Sequence, residues 1–393
     1  MGKRLAAWMI CLILCCLCVS GLAVHAEDLP DMTALETAAP VNDGLPARSA
    51  ILIEQESGRV LFEKNPDEQL PPASITKVMT LLLTMEAIDQ GKLTLNDMIT
   101  CSAHAASMGG SQIWFEEGEQ LSVDDLLKAT AISSANDAAV ALAEAVAGSE
   151  EAFVGMMNER AQSLGMANTH FVNATGLDAQ GHVTTARDIA EMSRVLLRYP
   201  LISEYSSVWM SELRGGETQL VNTNKLVRFY DGCTGLKTGT TDGAGSCLSA
   251  SATRGGLSLV AVTLGSATSA ERFSAARGLL DYGFANYARV ELPVVEGIEP
   301  IPVKHGIAQM VDVVCEPPGA VVVRIADKDA ITQQADLLPE LEAPVESGQT
   351  VGKVVVKVGE SDLCEYRLVA AGSVERMTFF RALGILFSSL IRM

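Results

Sequence analysis

Ser74 and Lys77 stand three positions apart in the stretch Pro-Pro-Ala-Ser-Ile-Thr-Lys-Val-Met-Thr, residues 71–80. A serine hydroxyl is a poor nucleophile until a base takes its proton. A lysine amine can be that base only when it is uncharged near the working pH, and burial or a neighbouring cation lowers its pKa towards that range. Pro72 suits a helix start, so the spacing predicts a helix opening at Ser74. The hydroxyl would then sit at the positive end of the helix dipole, beside unpaired N–H groups, with Lys77 one turn on and on the same face. Alone the pair is weak evidence, because ordinary Ser and Lys usage produces it about once in such a chain.

Two further segments strengthen it. Ser134-Ala135-Asn136 supplies a hydroxyl that can pass a proton between Lys77 and a leaving amine, and an amide that can hold a substrate carbonyl or the lysine. Lys237-Thr238-Gly239 supplies a cation and a hydroxyl to grip a carboxylate, and Gly239 lets a strand edge approach a peptide closely. The plainer alternatives are a surface loop at 134–136 and a turn at 237–239. Lys-Thr-Gly arises by chance in roughly one such chain in ten, so all three segments in this order are not a coincidence of composition.

These residues need elements to aim them. Ser49 to Gln55 and Arg59 to Lys64 read as strands of a hairpin turning at Glu56-Ser57-Gly58. Helical patterns dominate from Ser74 to about Arg198. Strand patterns return after Asp231, and Ser269 to Tyr287 reads as a helix. This order implies an α+β domain, an antiparallel sheet with a helical cluster, over residues 47–288. Residues 289–375 are rich in Val, Pro and Gly with short strand-like runs and read as a small all-β domain. In residues 376–393, Phe379, Leu383, Leu386, Phe387 and Leu390 recur at helical spacing, with Arg381, Ser388 and Arg392 opposite. That tail is expected to lie as an amphipathic helix on the outer face of the cytoplasmic membrane, the alternatives being a core-docked helix or a dimer contact.

The start of the chain is a targeting segment. Lys3 and Arg4 precede an apolar run to Val19, and Val24-His25-Ala26 offers small residues for cleavage. Residues 1–26 are therefore expected to be a signal peptide and 27–46, with three prolines, a linker. The mature chain would work outside the cytoplasm. The 393 residues carry 29 Lys plus Arg against 48 Asp plus Glu, a net charge of −19, which argues against a nucleic-acid partner. Of nine Cys, four fall in the leader; the scattered remainder, Cys101, Cys233, Cys247, Cys315 and Cys364, reads as buried free thiols. No metal-ligand spacing occurs, and neither metal nor cofactor is expected.

The chain resembles the low-molecular-mass penicillin-binding proteins, the serine-type D-alanyl-D-alanine carboxypeptidases, over most of residues 45–375. The likeness covers Pro72 to Thr80, Asp125 to Ala139, Leu164 to Leu177 with His182 and Thr185 to Asp188, Gly235 to Gly245, and Ala343 to Gly352. Position 135 is Ala where many members have Gly. S-x-x-K, S-x-N-like and K-T-G elements occur together in penicillin-binding proteins and in class A β-lactamases. The resemblance implies a β-lactamase-like fold and a peptidoglycan stem peptide ending in D-Ala-D-Ala as substrate, with β-lactams as inhibitors. It implies that Ser74 attacks the penultimate D-alanine carbonyl and Lys77 accepts its proton. Ser134 and Asn136 would complete the proton path. Lys237 and Thr238 would bind the terminal carboxylate, and the N–H groups of Ser74 and Thr240 would form the oxyanion hole. Arg272 matches a family arginine near that carboxylate, against a solvated surface Arg as the alternative. Asn173, Gly176 and His182 are expected to shape a loop. A β-lactamase or a non-catalytic muropeptide-binding wall protein are the competing functions. The first lacks its E-x-x-x-N segment between Asn136 and Lys237, and intact Ser74, Lys77 and Lys237 argue against the second.

Overall fold

The computed structural model describes residues 41–42, 44–316 and 319–391. The expected signal peptide and most of the expected linker lie outside the described residues. Seven strands matter for the site: β1 (Ser49–Glu54), β2 (Val60–Lys64), β3 (Met210–Leu213), β4 (Thr218–Val221), β5 (Cys233–Thr241), β6 (Gly245–Arg254) and β7 (Leu257–Ser266). Five of them form one sheet in the order β2-β1-β7-β6-β5, with every neighbour antiparallel. β3 and β4 pair as a separate hairpin.

The sheet is buried on both faces, and the sequence of β1 shows why. Ile51 and Ile53 point into one apolar cluster, while Ala50 and Leu52 point into another. β7 repeats this, with Val260, Val262 and Leu264 on the first side and Leu259 and Ala261 on the second. The first side packs against α1 (Lys77–Asp89), α2 (Asn136–Ala147) and α3 (Ala186–Leu196). The second packs against α4 (Ser269–Asn286), which is started by a reciprocal Thr268–Glu271 capping box and buries Phe273, Ala276, Leu279 and Leu280. Each fully buried Leu, Ile or Phe contributes about 1.5–3 kcal/mol, so the central strands are a rigid mount. Leu45, expected in the linker, is 2% exposed within the second cluster, so the packed chain reaches back past residue 47.

Two local expectations change. The helix does not open at Ser74. Ala73–Thr76 form a 3₁₀ turn, with Ala73 in the left-handed region at φ 49°, and α1 begins at Lys77. The span from 74 to 198 is not all helical either, since Met98–Thr100 and Gln120–Ser122 form a short ladder within it.

Past α4 the chain is strand-rich. Ile301–Lys304 joins Met310–Val311 and Leu341–Glu342 in one small sheet. Val313–Cys315, Ser361–Ala370, Thr350–Val358 and Ile331–Leu337 form another. Val345, Val351, Val354 and Leu368 fill the core between them. The fold is thus a helix-and-sheet domain followed by an all-β one. The final helix, α5 (Phe379–Ile391), exposes Phe379, Leu383 and Phe387, and also Phe380. Among the described residues no helix is long and apolar enough to cross a membrane. The five described cysteines are all free. Cys101 and Cys247 are buried, but Cys233, Cys315 and Cys364 are only half-buried, because they lie in strands with one partly open side.

Candidate active site

The 3₁₀ turn places Ser74 at the head of α1, half-buried, while Lys77 beside it is fully buried. Lys77 Nζ lies 3.0 Å from Ser74 Oγ, 2.6 Å from Asn136 Oδ1 and 2.9 Å from the Thr175 carbonyl. Burial lowers its pKa to about 7, against an opposing pull from the Asp137 carboxylate. About half of the amine is then neutral at pH 7, and its lone pair can take the hydroxyl proton.

Ser134 and Asn136 come from a break between helices. A π-helical turn at Ala129–Ser133 ends with Ser134 at φ 66°, and α2 starts anew at Asn136. That break brings the Asn136 side chain onto Lys77 instead of continuing the helical spiral. The Asn136 side chain accepts from Lys77 and donates through Nδ2 to the Gly109 carbonyl at 2.6 Å. Its backbone N–H donates to the Ser111 carbonyl at 2.7 Å, so the residue is fixed at both ends. Ser134 is 4% exposed and makes no side-chain hydrogen bond among the described residues.

The opposite wall is β5, the edge strand of the sheet. Lys237 is buried and donates to the Thr238 carbonyl at 3.1 Å; burial first, then the nearby cations Lys77 and Arg272, hold its pKa well below the usual lysine range. Thr238 Oγ donates to Thr223 Oγ at 2.7 Å. Gly239 serves a closer contact than the expected approach of a peptide. A Cβ there would stand 2.9 Å from the Ser74 nitrogen and 3.0 Å from the Pro72 carbonyl, so only glycine lets β5 pack on the nucleophile turn. Thr240 follows, exposed at the cleft. Arg272 is not a solvated surface residue: it is 8% exposed and its guanidinium donates to the Gly239 carbonyl at 2.9 Å and Thr240 Oγ at 2.7 Å. Burial lowers its pKa to about 10, so it remains a cation at neutral pH.

A loop from 170 to 184 supports the nucleophile turn from below. Asn173 Oδ1 accepts from the Gly176 N–H at 2.6 Å and the Thr175 N–H at 3.2 Å, which fixes the carbonyl that holds Lys77. His182 is packed. Its Nδ1 accepts from the Val172 N–H at 3.1 Å, so Nε2 carries the proton and donates to Thr76 Oγ at 2.8 Å. Burial pushes its pKa down to about 4, so it stays neutral where Lys77 titrates.

The two wall segments, the amine and the hydroxyl thus converge on one cleft. Residues 35–268 match the family described as D-alanyl-D-alanine carboxypeptidase, and residues 294–376 match the C-terminal domain of penicillin-binding protein 5. The chain belongs to the D-alanyl-D-alanine carboxypeptidases. Among its relatives, the carboxypeptidase DacF of Bacillus subtilis is 40% identical over 338 residues, covering 85% of this chain and 87% of DacF. DacC of Escherichia coli is 36% identical, covering 85% and 86%. The crystal structure of penicillin-binding protein 5 from Haemophilus influenzae superposes with a TM-score of 0.75 at 29% identity, covering 86% of this chain and 100% of that one.

Several residues of this candidate site escape a sequence reading. Thr175 acts through its carbonyl and Thr223 through a distant hydroxyl, so neither carries a recognisable motif. Asp137 does carry a signal. It follows Asn136 directly at a helix start, and its buried carboxylate binds the N–H groups of Ile113 and Phe115, each at 3.0 Å.

Proposed function

We propose that the chain is a serine D,D-carboxypeptidase that removes the terminal D-alanine from peptidoglycan stem peptides through an acyl-enzyme on Ser74. The observation that carries this reading is the buried Lys77 amine, 3.0 Å from Ser74 Oγ with its pKa lowered to about 7. Lys77 takes the hydroxyl proton as Ser74 Oγ bonds to the carbonyl carbon of the penultimate D-alanine. The Ser74 and Thr240 N–H groups receive the developing oxyanion. The C–N bond then breaks, and Ser134 relays the proton from Lys77 to the departing amine of D-alanine. Lys77, neutral again, then takes a proton from a water whose oxygen bonds to the acyl carbon, and passes that proton to Ser74 Oγ as the ester C–O bond breaks.

Lys237, Thr238 and Arg272 receive the terminal carboxylate, with Gly239 keeping their strand against the nucleophile. An arriving carboxylate favours the charged form of Lys237, and that charge in turn keeps Lys77 neutral. Asn136 orients the amine. β-Lactams present the same carboxylate and carbonyl and leave a slowly hydrolysed acyl group on Ser74. Residues 47–288 would carry the reaction and 289–375 the β domain, in keeping with the two family matches.

The test has two readouts. Peptides ending in D-Ala-D-Ala should release free D-alanine, and penicillin should leave a long-lived mass adduct on the fragment containing Ser74. No release and no adduct would reject an enzyme of this class; rapid loss of the adduct with penicillin consumed would make it a β-lactamase.

The tail belongs to the same proposal: α5 lies on the outer face of the cytoplasmic membrane, its exposed Phe379, Phe380, Leu383 and Phe387 inserted. Deleting residues 376–393 should move the protein from membrane to soluble fractions with D-alanine release retained. Fractionation that does not change on deletion would reject the anchor.

A further inference from the structure

The Thr175 carbonyl that accepts from Lys77 belongs to a loop, and a loop carbonyl stays aimed only if the chain just before it is held. Ala174 is held at both ends. Its carbonyl accepts from Thr80 Oγ at 2.7 Å, one turn along α1 from Lys77. Its N–H donates to Glu150 Oε1 at 2.9 Å. Glu150 is the first residue of the helix Glu150–Ser163, capped by Ser149, where the helix dipole favours a carboxylate. Its side chain is only 16% exposed.

The second carboxylate oxygen faces another supporting segment. His104 Nε2 donates to Glu150 Oε2 at 2.7 Å. His104 stands in the short helix Ala103–Ala106, which leads to Gly109 and Ser111, whose carbonyls fix Asn136. One carboxylate therefore lies between the two pieces of chain that give Lys77 its acceptors, the Thr175 carbonyl on one side and Asn136 Oδ1 on the other. Of the acids beside it, Glu144 accepts from Ser102 Oγ at 3.0 Å and Glu151 is exposed. These three acids and His104 line a cavity of about 510 Å³, so a shorter side chain at position 150 empties no packed core.

We propose that Glu150 is a positioning residue for the general base: through the Ala174 N–H it keeps the Thr175 carbonyl on the Lys77 amine. This rests on the carboxypeptidase reading above. Glu150 acts as a hydrogen-bond acceptor, a role that an amide oxygen of the same reach can fill, and its charge is not needed. The charges that act on the amine, Asp137 and Lys237, stay in every variant. A carbonyl that accepts from an ammonium favours the charged form. Withdrawing it lowers the pH at which Lys77 becomes neutral and leaves the amine less well aimed at Ser74 Oγ.

The test follows acylation of Ser74 by a fluorescent penicillin across pH. The acid limb is the fall in rate as Lys77 gains its proton. Glu150→Gln keeps an oxygen within reach of the Ala174 N–H and loses the charge. Glu150→Asp keeps the charge and ends one methylene short. Glu150→Gln should acylate within about twofold of the unaltered rate, with the limb unmoved. Glu150→Asp and Glu150→Ala should acylate about tenfold more slowly on the alkaline plateau, with the limb about one pH unit lower, the scale of one weakened hydrogen bond to a charged amine. A limb that stays in place in both shortened variants, whatever their rates, makes the residue merely structural and overturns the proposal. Glu150→Gln behaving as Glu150→Ala does would make the charge the cause and overturn it too. Should Glu150→Ala not fold, Glu150→Asp decides by the same two readouts. No acylation of the unaltered protein at any pH overturns the carboxypeptidase reading and the positioning role together.

Discussion

Lys77→Met should lower the rate of Ser74 acylation by about 10²–10⁴, the usual contribution of a positioned general base. Methionine fills much the same volume and removes only the proton acceptor. Acylation by a fluorescent penicillin, followed in time, measures it directly. The pH dependence is fixed by the same group. The neutral amine is the active form, so acylation by the unaltered enzyme should fall as pH drops through about 7. The Met variant should show no such limb. Stability carries a second signature. Between about 7 and the ordinary lysine pKa of 10.5 the unfolded chain holds a proton that folded Lys77 does not. The unfolded state binds more protons there, so stability rises with pH across that window. Lys237, whose pKa is lowered in the same direction, adds to the slope. The Met variant should keep only the Lys237 part. Denaturant midpoints with an unchanged slope, or a variant that acylates at the original rate, would remove Lys77 from the role of base.

Gly176→Ala should be nearly as damaging without touching a reactive side chain. A Cβ at this position would lie 1.8 Å from the Ala73 carbonyl oxygen, and Gly176 has φ +86°. Backbone opposes it on the far side, so no side chain can swing clear. The clash has two outlets: the turn carrying Ser74 shifts, or the loop carrying the Thr175 carbonyl withdraws from Lys77. Either separates nucleophile from base. Strain and overpacking together predict a loss of about 2–5 kcal/mol in stability. Misplacement by about 1 Å predicts at least a 10²-fold fall in acylation. Melting and penicillin binding measured on one preparation test both. A variant matching the unaltered protein in each would show that the loop yields and does not define the site.

The proposed reacting side chains are legible because their identities would carry the chemistry. Ser74, Lys77, Asn136 and Lys237 stand out by type and spacing, and the hairpin at 49–64 and the helix after Thr268 follow from alternation and capping. What the sequence hides is support supplied by the backbone. The carbonyl of Thr175 would serve equally from many residue types. The 3₁₀ start at Ala73 depends on a loop a hundred positions away. For Arg272 a solvated surface position stands as the alternative to a place near the carboxylate, because its burial is decided by the packing of α4 on β7 and β6. Gly239 was legible as a close-approach glycine, but its neighbour is the Ser74 turn, which only the folded sheet brings there.

The position of β1 has a temporal implication. Its two neighbours in the sheet are β2, a few residues on, and β7, which ends at Ser266. The innermost ladder therefore joins segments about two hundred residues apart, a separation that slows closure. The helical layer can gather earlier from contacts nearer in sequence, but β6 and β5 have no mount until β7 docks. Catalytic competence should thus arise late and abruptly, and a nascent chain cut before residue 266 should hold Ser74 and Lys77 yet fail to react with penicillin.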